Sequence, residues 1–131
     1  MQITRLDHVN LRTEQREVMI AWYVDVLGLR NGARPDFGFP GAWLYAGDHP
    51  AIHLVGVEEE PGADMSSLKV EHFALSAMGI EGLLERAKAA DARVEVRKVP
   101  SFPIVQVNMW DPDGNHIHID FTAEEAEAAG I

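Results

Sequence analysis

Four of the six histidines in this chain stand on matched positions of an internal repeat. Leu6-Asp7-His8-Val9-Asn10-Leu11 returns as Val70-Glu71-His72-Phe73-Ala74-Leu75, and Ala51-Ile52-His53-Leu54 returns as His116-Ile117-His118-Ile119. Imidazole offers a neutral nitrogen lone pair near pH 7 and suits late divalent metals well. Rings set in register by a duplicated scaffold can converge on one ion, so His8, His53, His72 and His118 are the candidate metal ligands. The competing reading of each is a polar strand residue satisfied by a neighbour. It is the equivalence across the repeat that favours ligation. His116 points to the same side as His118, as a supporting residue or a solvated one near a turn. His49 falls in a turn and reads as surface.

The elements that must carry these residues follow from periodicity. Residues 3–12 alternate in polarity and predict a strand. Thr13 is placed to cap a helix whose inward residues are Val18, Met19, Trp22, Tyr23, Val26 and Leu27, and Gly28 is its stop. A loop over 36–41 holds Phe37 and Phe39, and strands follow at 42–46 and 50–57. The acidic stretch from Glu58 breaks periodicity. A second round then brings a strand at 69–76, a helix over 79–90, and strands at 92–98, 103–110 and 115–121. Asp111-Pro112-Asp113-Gly114 is a turn signal between the last two. Thr122 with Glu125 predicts a capping box for a short acidic helix. The organisation is one domain: module one 1–57, linker 58–68, module two 69–121 and a C-terminal helix 122–131.

Alternation within each strand separates two faces. Val9, Leu11, Leu44, Ile52, Leu54, Phe73, Leu75, Val105, Val107, Met109, Ile117, Ile119 and Phe121 form the apolar face that helices should cover. The histidines lie on the other face with Asn10, Arg12, Trp43, Tyr45, Gln106, Asn108 and Trp110. Those seven are candidate contacts to an organic ligand: amides to orient it, Arg12 to hold an anionic group, rings to stack on it. Plain packing for the aromatics, and a surface ion pair with Glu14 or Glu17 for Arg12, are the alternatives. Asp120 shares the parity of His118, but two residues along a strand is about 6.6 Å, which suits orienting a ligand better than binding metal.

Bulk properties narrow the class. A chain of 131 residues with 47% hydrophobic and 24% charged residues is globular. A net charge of −10 argues against nucleic acid or an anionic membrane as partner. No cysteine is present, so disulfides and thiolate chemistry are excluded. With neither a cationic apolar leader nor a membrane-length apolar run, a cytoplasmic protein is expected.

Three stretches resemble the vicinal oxygen chelate superfamily of glyoxalases, bleomycin-resistance proteins and extradiol dioxygenases. They are Leu6-Asp7-His8-Val9, Trp22-Tyr23-Val24-Asp25-Val26-Leu27-Gly28-Leu29, and Asp111-Pro112-Asp113-Gly114-Asn115-His116-Ile117-His118-Ile119. The resemblance implies an α+β fold of two tandem βαβββ modules, a curved mixed sheet with a U-shaped cleft and helices on the outer face. It also implies a homodimer and one divalent ion per cleft, held at the positions of His8, His53, His72 and His118. Zn, Ni, Co, Fe and Mn are the candidate metals. The family most often carries a carboxylate where His118 stands, so the catalytic base is left unassigned and the ligand set is neutral.

Two classes of function follow. The first is a metal-dependent enzyme of glyoxalase or isomerase type, with a ring-cleaving dioxygenase as a variant, chelating a small vicinally oxygenated substrate. The second is a binding protein of bleomycin-resistance type that sequesters a small molecule without chemistry.

Overall fold

A computed structural model describes residues 1–62 and 68–131. Most of the expected linker is among them, but its residues 63–67 lie outside. Among the described residues, no helix is long and apolar enough to cross a membrane. The chain divides into two compact units, Met1–Gly62 and Ala63–Ile131.

The first unit runs β1 (Val9–Thr13), α1 (Arg16–Asp25), β2 (Arg30–Gly32), β3 (Gly41–Ala46) and β4 (His49–Gly56). The second runs β5 (Phe73–Ser76), α2 (Ile80–Ala89), β6 (Val94–Lys98), β7 (Ile104–Trp110), β8 (His116–Thr122) and α3 (Ala123–Ala128). Each unit closes a four-stranded mixed sheet of the same topology, β1-β4-β3-β2 and β5-β8-β7-β6. The first strand is parallel to the fourth in both, and the remaining pairs are antiparallel. This is the expected pair of βαβββ modules.

The alternation places the core as predicted. Leu44, Ile52 and Leu54 are buried with Met19, Tyr23 and Val26 of α1, which packs on β3 and β4. In the second unit Val105, Val107, Met109, Ile117, Ile119 and Phe121 are buried, as is Ala126 of α3, which packs on β7 and β8. Val9, Leu11, Phe73 and Leu75 are only half-buried, because β1 and β5 are edge strands. Val18, expected inward on α1, is 51% exposed.

Five local expectations change. The strand expected over 3–12 begins at Val9 and that over 69–76 at Phe73, so His8 and His72 stand at strand entrances. The β1–β4 ladder starts at Val9↔Ile52, so the residues before Val9 are not paired into the sheet although β4 itself begins at His49. They are tied by side chains instead: His49 Nε2 donates to the Asp7 carbonyl, and Arg5 donates to His49 Nδ1 at 3.2 Å. His49 is thus a half-buried tether. Thr13 does not cap α1; its hydroxyl accepts from the Gln15 amide at 3.1 Å, in the turn before the helix. Thr122 does cap α3, accepting from the Glu125 amide at 3.2 Å. Glu125, however, does not close the box: its Oε1 accepts from the Gly79 and Ile80 amides at 2.6 and 2.8 Å, at the start of α2. Finally, β2 carries no alternation pattern, since Arg30, Asn31 and Gly32 are too few to show one.

Candidate functional site

The registers explain how each unit brings two histidines together. Asn10 of β1 faces His53 of β4, and Ala74 of β5 faces His118 of β8. The entrance histidine lies two residues before its strand's cross-partner in both cases, on the same face of the pleat. The rings of His8 and His53 stack at 3.8 Å between centroids, and those of His72 and His118 at 3.9 Å. One duplicated register thus produces two imidazole pairs of nearly identical geometry.

Their tautomers are set by partners that periodicity does not reveal. His8 Nδ1 donates to the Asp7 carboxylate at 2.9 Å, and His72 Nδ1 donates to that of Glu71. A carboxylate on one ring nitrogen leaves Nε2 as the lone pair for a ligand, the arrangement common behind metal-bound histidines. His53 is hydrogen-bonded to the Pro50 carbonyl, while its Nε2 is buried and has no partner. An orphaned buried nitrogen is costly unless something fills its lone pair. The pKa values agree. Burial, then the charge of His8, lowers that of His53; burial, then His72, lowers that of His118. Both rings are therefore biased toward the neutral form that binds metal. The hydrogen bond from His8 lowers the pKa of Asp7, and those from His72 and His116 lower that of Glu71 to about 2. The neutral ring nitrogens of each pair suit a late divalent ion, with the negative charge of Asp7 behind one pair and of Glu71 behind the other.

The second unit adds His116, whose repeat counterpart is Ala51. One ring nitrogen from each of His72, His116 and His118 lies within 4.8 Å of the others, so these three rings could hold a metal. Both nitrogens of His116 nevertheless face oxygen acceptors, Glu71 Oε1 at 2.7 Å and Asn108 Oδ1 at 3.1 Å. Asn108 is buried, and its orientation is fixed because its Nδ2 donates to the Glu95 carbonyl at 3.2 Å. In this arrangement His116 braces Glu71. The ring of Trp110 stacks on His116 at 4.8 Å, with Arg93 lying 3.7 Å over its centroid. The turn before β8 is tied by a side chain: Asp111 Oδ1 accepts from the Asp113 and Asn115 amides at 3.1 and 2.9 Å. Gly114, at φ 82°, adopts a backbone conformation that favours glycine.

The first unit differs at the matched position. Where Asn108 pairs with His118, Trp43 pairs with His53 and stacks on it at 4.3 Å. Beside this stack is a pocket of about 160 Å³ whose lining includes Asn10, Arg34, Phe37, Phe39, Trp43 and His53. Arg34 lies 4.8 Å over each of the Phe37 and Phe39 rings. It also packs against Gly41, where a Cβ would meet Arg34 Nη2 at 2.9 Å and the Leu54 carbonyl at 2.5 Å.

Of the candidate ligand contacts, Asn10 and Trp43 line this pocket and Arg12 does not; Arg12 is exposed farther along β1, and the cation present is Arg34. Tyr45 holds β2, its hydroxyl donating to the Ala33 carbonyl at 2.6 Å and its ring lying under Arg30. Asn108 and Trp110 surround His116, while Gln106 and Ser76 flank Asp120 across neighbouring strands. One oxygen of Asp120 is buried without a partner. Sequence reasoning missed Asp7, Glu71 and Arg34. An acidic residue before the histidine in both repeat copies was the available signal for the first two; Arg34 sits in an aperiodic loop.

The sequence model of the Glyoxalase/Bleomycin resistance protein/Dioxygenase superfamily matches residues 5–119. Among solved structures, a glyoxylase/bleomycin resistance protein/dioxygenase domain from Frankia sp. EAN1pec superposes with a TM-score of 0.76 at 16% identity, over 92% of this chain and 99% of that one. A lactoylglutathione lyase from Agrobacterium tumefaciens gives 0.67 at 18% identity, over 92% and 95%. A genomically encoded fosfomycin resistance protein from Listeria monocytogenes gives 0.69 at 14% identity, over 95% and 98%. No curated protein matches the sequence.

Proposed function

Because the chain belongs to the Glyoxalase/Bleomycin resistance protein/Dioxygenase superfamily, we propose that it is a metal-dependent enzyme of glyoxalase or isomerase type. Its substrate is a small molecule with two adjacent oxygens, and its ligands are His8, His53, His72 and His118. The observation that carries this reading is the matched set of tautomers. Nδ1 is held by an acceptor in His8, His53 and His72, and the Nε2 of His53 is buried and bare. A bound divalent ion, with Zn, Ni and Co the best suited to imidazole and Fe and Mn the alternatives, would supply Lewis acidity toward adjacent substrate oxygens. Asp7 and Glu71 orient the rings of His8 and His72, and burial biases His53 and His118 toward the neutral form.

The chain works as a homodimer in this reading. β1 and β5 are edge strands, and exposed apolar side chains precede or follow them: Ile3 at 84%, Leu6 at 75%, Val70 at 70% and Met78 at 92%. Edges of that kind are normally covered.

The test is metal content in protein expressed without a chelating tag. About one equivalent of divalent metal per chain is expected, with loss of most of it in the His8→Ala/His72→Ala double variant. Metal retained in that variant overturns the ligand assignment. Turnover is read as metal-dependent deuterium exchange at the carbon beside the oxygens of a 2-hydroxy ketone. The aromatic pocket beside His53 and the histidine at position 118 favour a second reading, a small-molecule binding protein without chemistry. Bound metal with no exchange on any such substrate selects it.

A further inference from the structure

The pocket beside His53 has a composition that specifies a ligand class. Its volume of about 160 Å³ is close to what a benzene-sized ring requires. Phe37, Phe39 and Trp43 give it three aromatic faces, with Phe37 stacked on Phe39 at 5.7 Å and tilted against Trp43 at 6.1 Å. Phe37 and Phe39 stay 49% and 46% exposed, an apolar surface still open to a partner. Arg34 is the cation of the lining, and among the described residues no carboxylate pairs with it. The chain carries 21 acidic residues, yet none lines this pocket. A cation is therefore a poor occupant. An aliphatic acid would satisfy Arg34 but gain no ring stacking on the exposed surfaces of Phe37 and Phe39.

We propose that this pocket binds a small planar aromatic carboxylate, with the carboxylate on the Arg34 guanidinium and the ring among Phe37, Phe39 and Trp43. A guanidinium fork matches a carboxylate with two parallel hydrogen bonds, which a lysine cannot reproduce. Asn10, opposite His53 in the β1–β4 register, adds an amide for a ring substituent. The inference deepens the functional reading above and rests on it only in placing the ligand beside His53; the binding itself needs no metal.

Calorimetric titration of the metal-free full chain tests it with three probes: benzoate, cyclohexanecarboxylate, which keeps the charge without the flat ring, and benzyl alcohol, which keeps the ring without the charge. Benzoate should bind saturably and about tenfold or more tighter than either control. Arg34→Met should weaken benzoate about tenfold or more and leave benzyl alcohol unchanged, with Arg34→Lys between. If Arg34→Met does not fold, judged by its circular dichroism melt, Arg34→Lys and the two control probes decide. Benzoate binding no tighter than the controls, or unchanged by the Arg34 variants, overturns the proposal. The His72→Ala/His118→Ala variant separates the two readings. This variant should lose its metal and bind benzoate normally: metal retained in it sinks the ligand assignment alone, and loss of benzoate binding in it sinks this proposal alone.

Discussion

Glu71 holds His72 by its Nδ1 atom, so the lone pair of that ring is left on Nε2. Asp7 does the same for His8 across the repeat, though Glu71 also takes a hydrogen bond from His116 and so is held from two sides. Its pKa, about 2, keeps it ionised throughout the neutral range. Glu71→Gln keeps the size and removes the charge. Metal affinity should fall about 10- to 100-fold, as found when carboxylates behind metal-bound histidines are removed. Competition against a chromophoric chelator measures it, and an unchanged affinity would mean that Glu71 is only a surface partner of the two rings.

Acid sensitivity follows from His53 and His118. Both have folded pKa values below the ordinary 6.5, so below that pH the unfolded chain binds protons that the folded one resists. Metal-free stability should therefore decline as pH drops through 6.5, and stop declining from this cause once the folded values are passed. Asp7 and Glu71 act in the same direction at lower pH, since their depressed values give stability that is lost as they protonate. Thermal melts of the metal-free protein between pH 8 and 5 read this out. His53→Gln and His118→Gln should each flatten the profile; a melting temperature flat across that range in the parent protein would contradict the assignment.

Glu125 supplies a stability test away from the histidines. Its carboxylate caps the start of α2 by accepting from the Gly79 and Ile80 amides, two donors that the helix leaves without internal partners. Glu125→Ala should cost about 1–2 kcal/mol and lower the melting temperature by about 4 °C or more. Glu124→Ala, on the exposed side of the same helix, should change it little. Equal effects in the two variants would show that only helix charge matters.

What the sequence revealed and what it hid divide along physical lines. Strands such as Val105–Met109 and Ile117–Phe121 were legible because one face is buried, which imposes period two on residue type. The pairing of His72 with His118 was legible because the duplication repeats the register that makes His8 meet His53. Tethers were not legible. Nothing in the pattern says that Glu125 reaches α2 instead of its own amide, or that His49 reaches the Asp7 carbonyl, since both contacts join segments more than 40 residues apart. Periodicity offers Arg12, on the strand face, as the cation for a ligand. Arg34 enters from a loop, where position is set by contacts with Phe37, Phe39 and Gly41 and not by period.

His118 is the position at which this chain departs from the carboxylate that its superfamily resemblance leads one to expect. Its ring stacks on His72 and lies near His116, so substitution changes the charge of the site more than its shape. His118→Glu should retain metal, because a carboxylate also binds late divalent ions and adds a negative charge to a neutral set. It should also alter the acid limb of metal release. A histidine competes for protons near 6.5, lowered here by burial, while a glutamate competes near 4.3. The variant should thus hold metal to lower pH than the parent chain, and the gap is narrowed to the extent that His118 already titrates low. Release curves followed with a metal indicator from pH 7 to 4 give the comparison. Coincident curves would remove His118 from the ligand set and leave His116 as the ring of β8 to test next, by His116→Ala in the same assay.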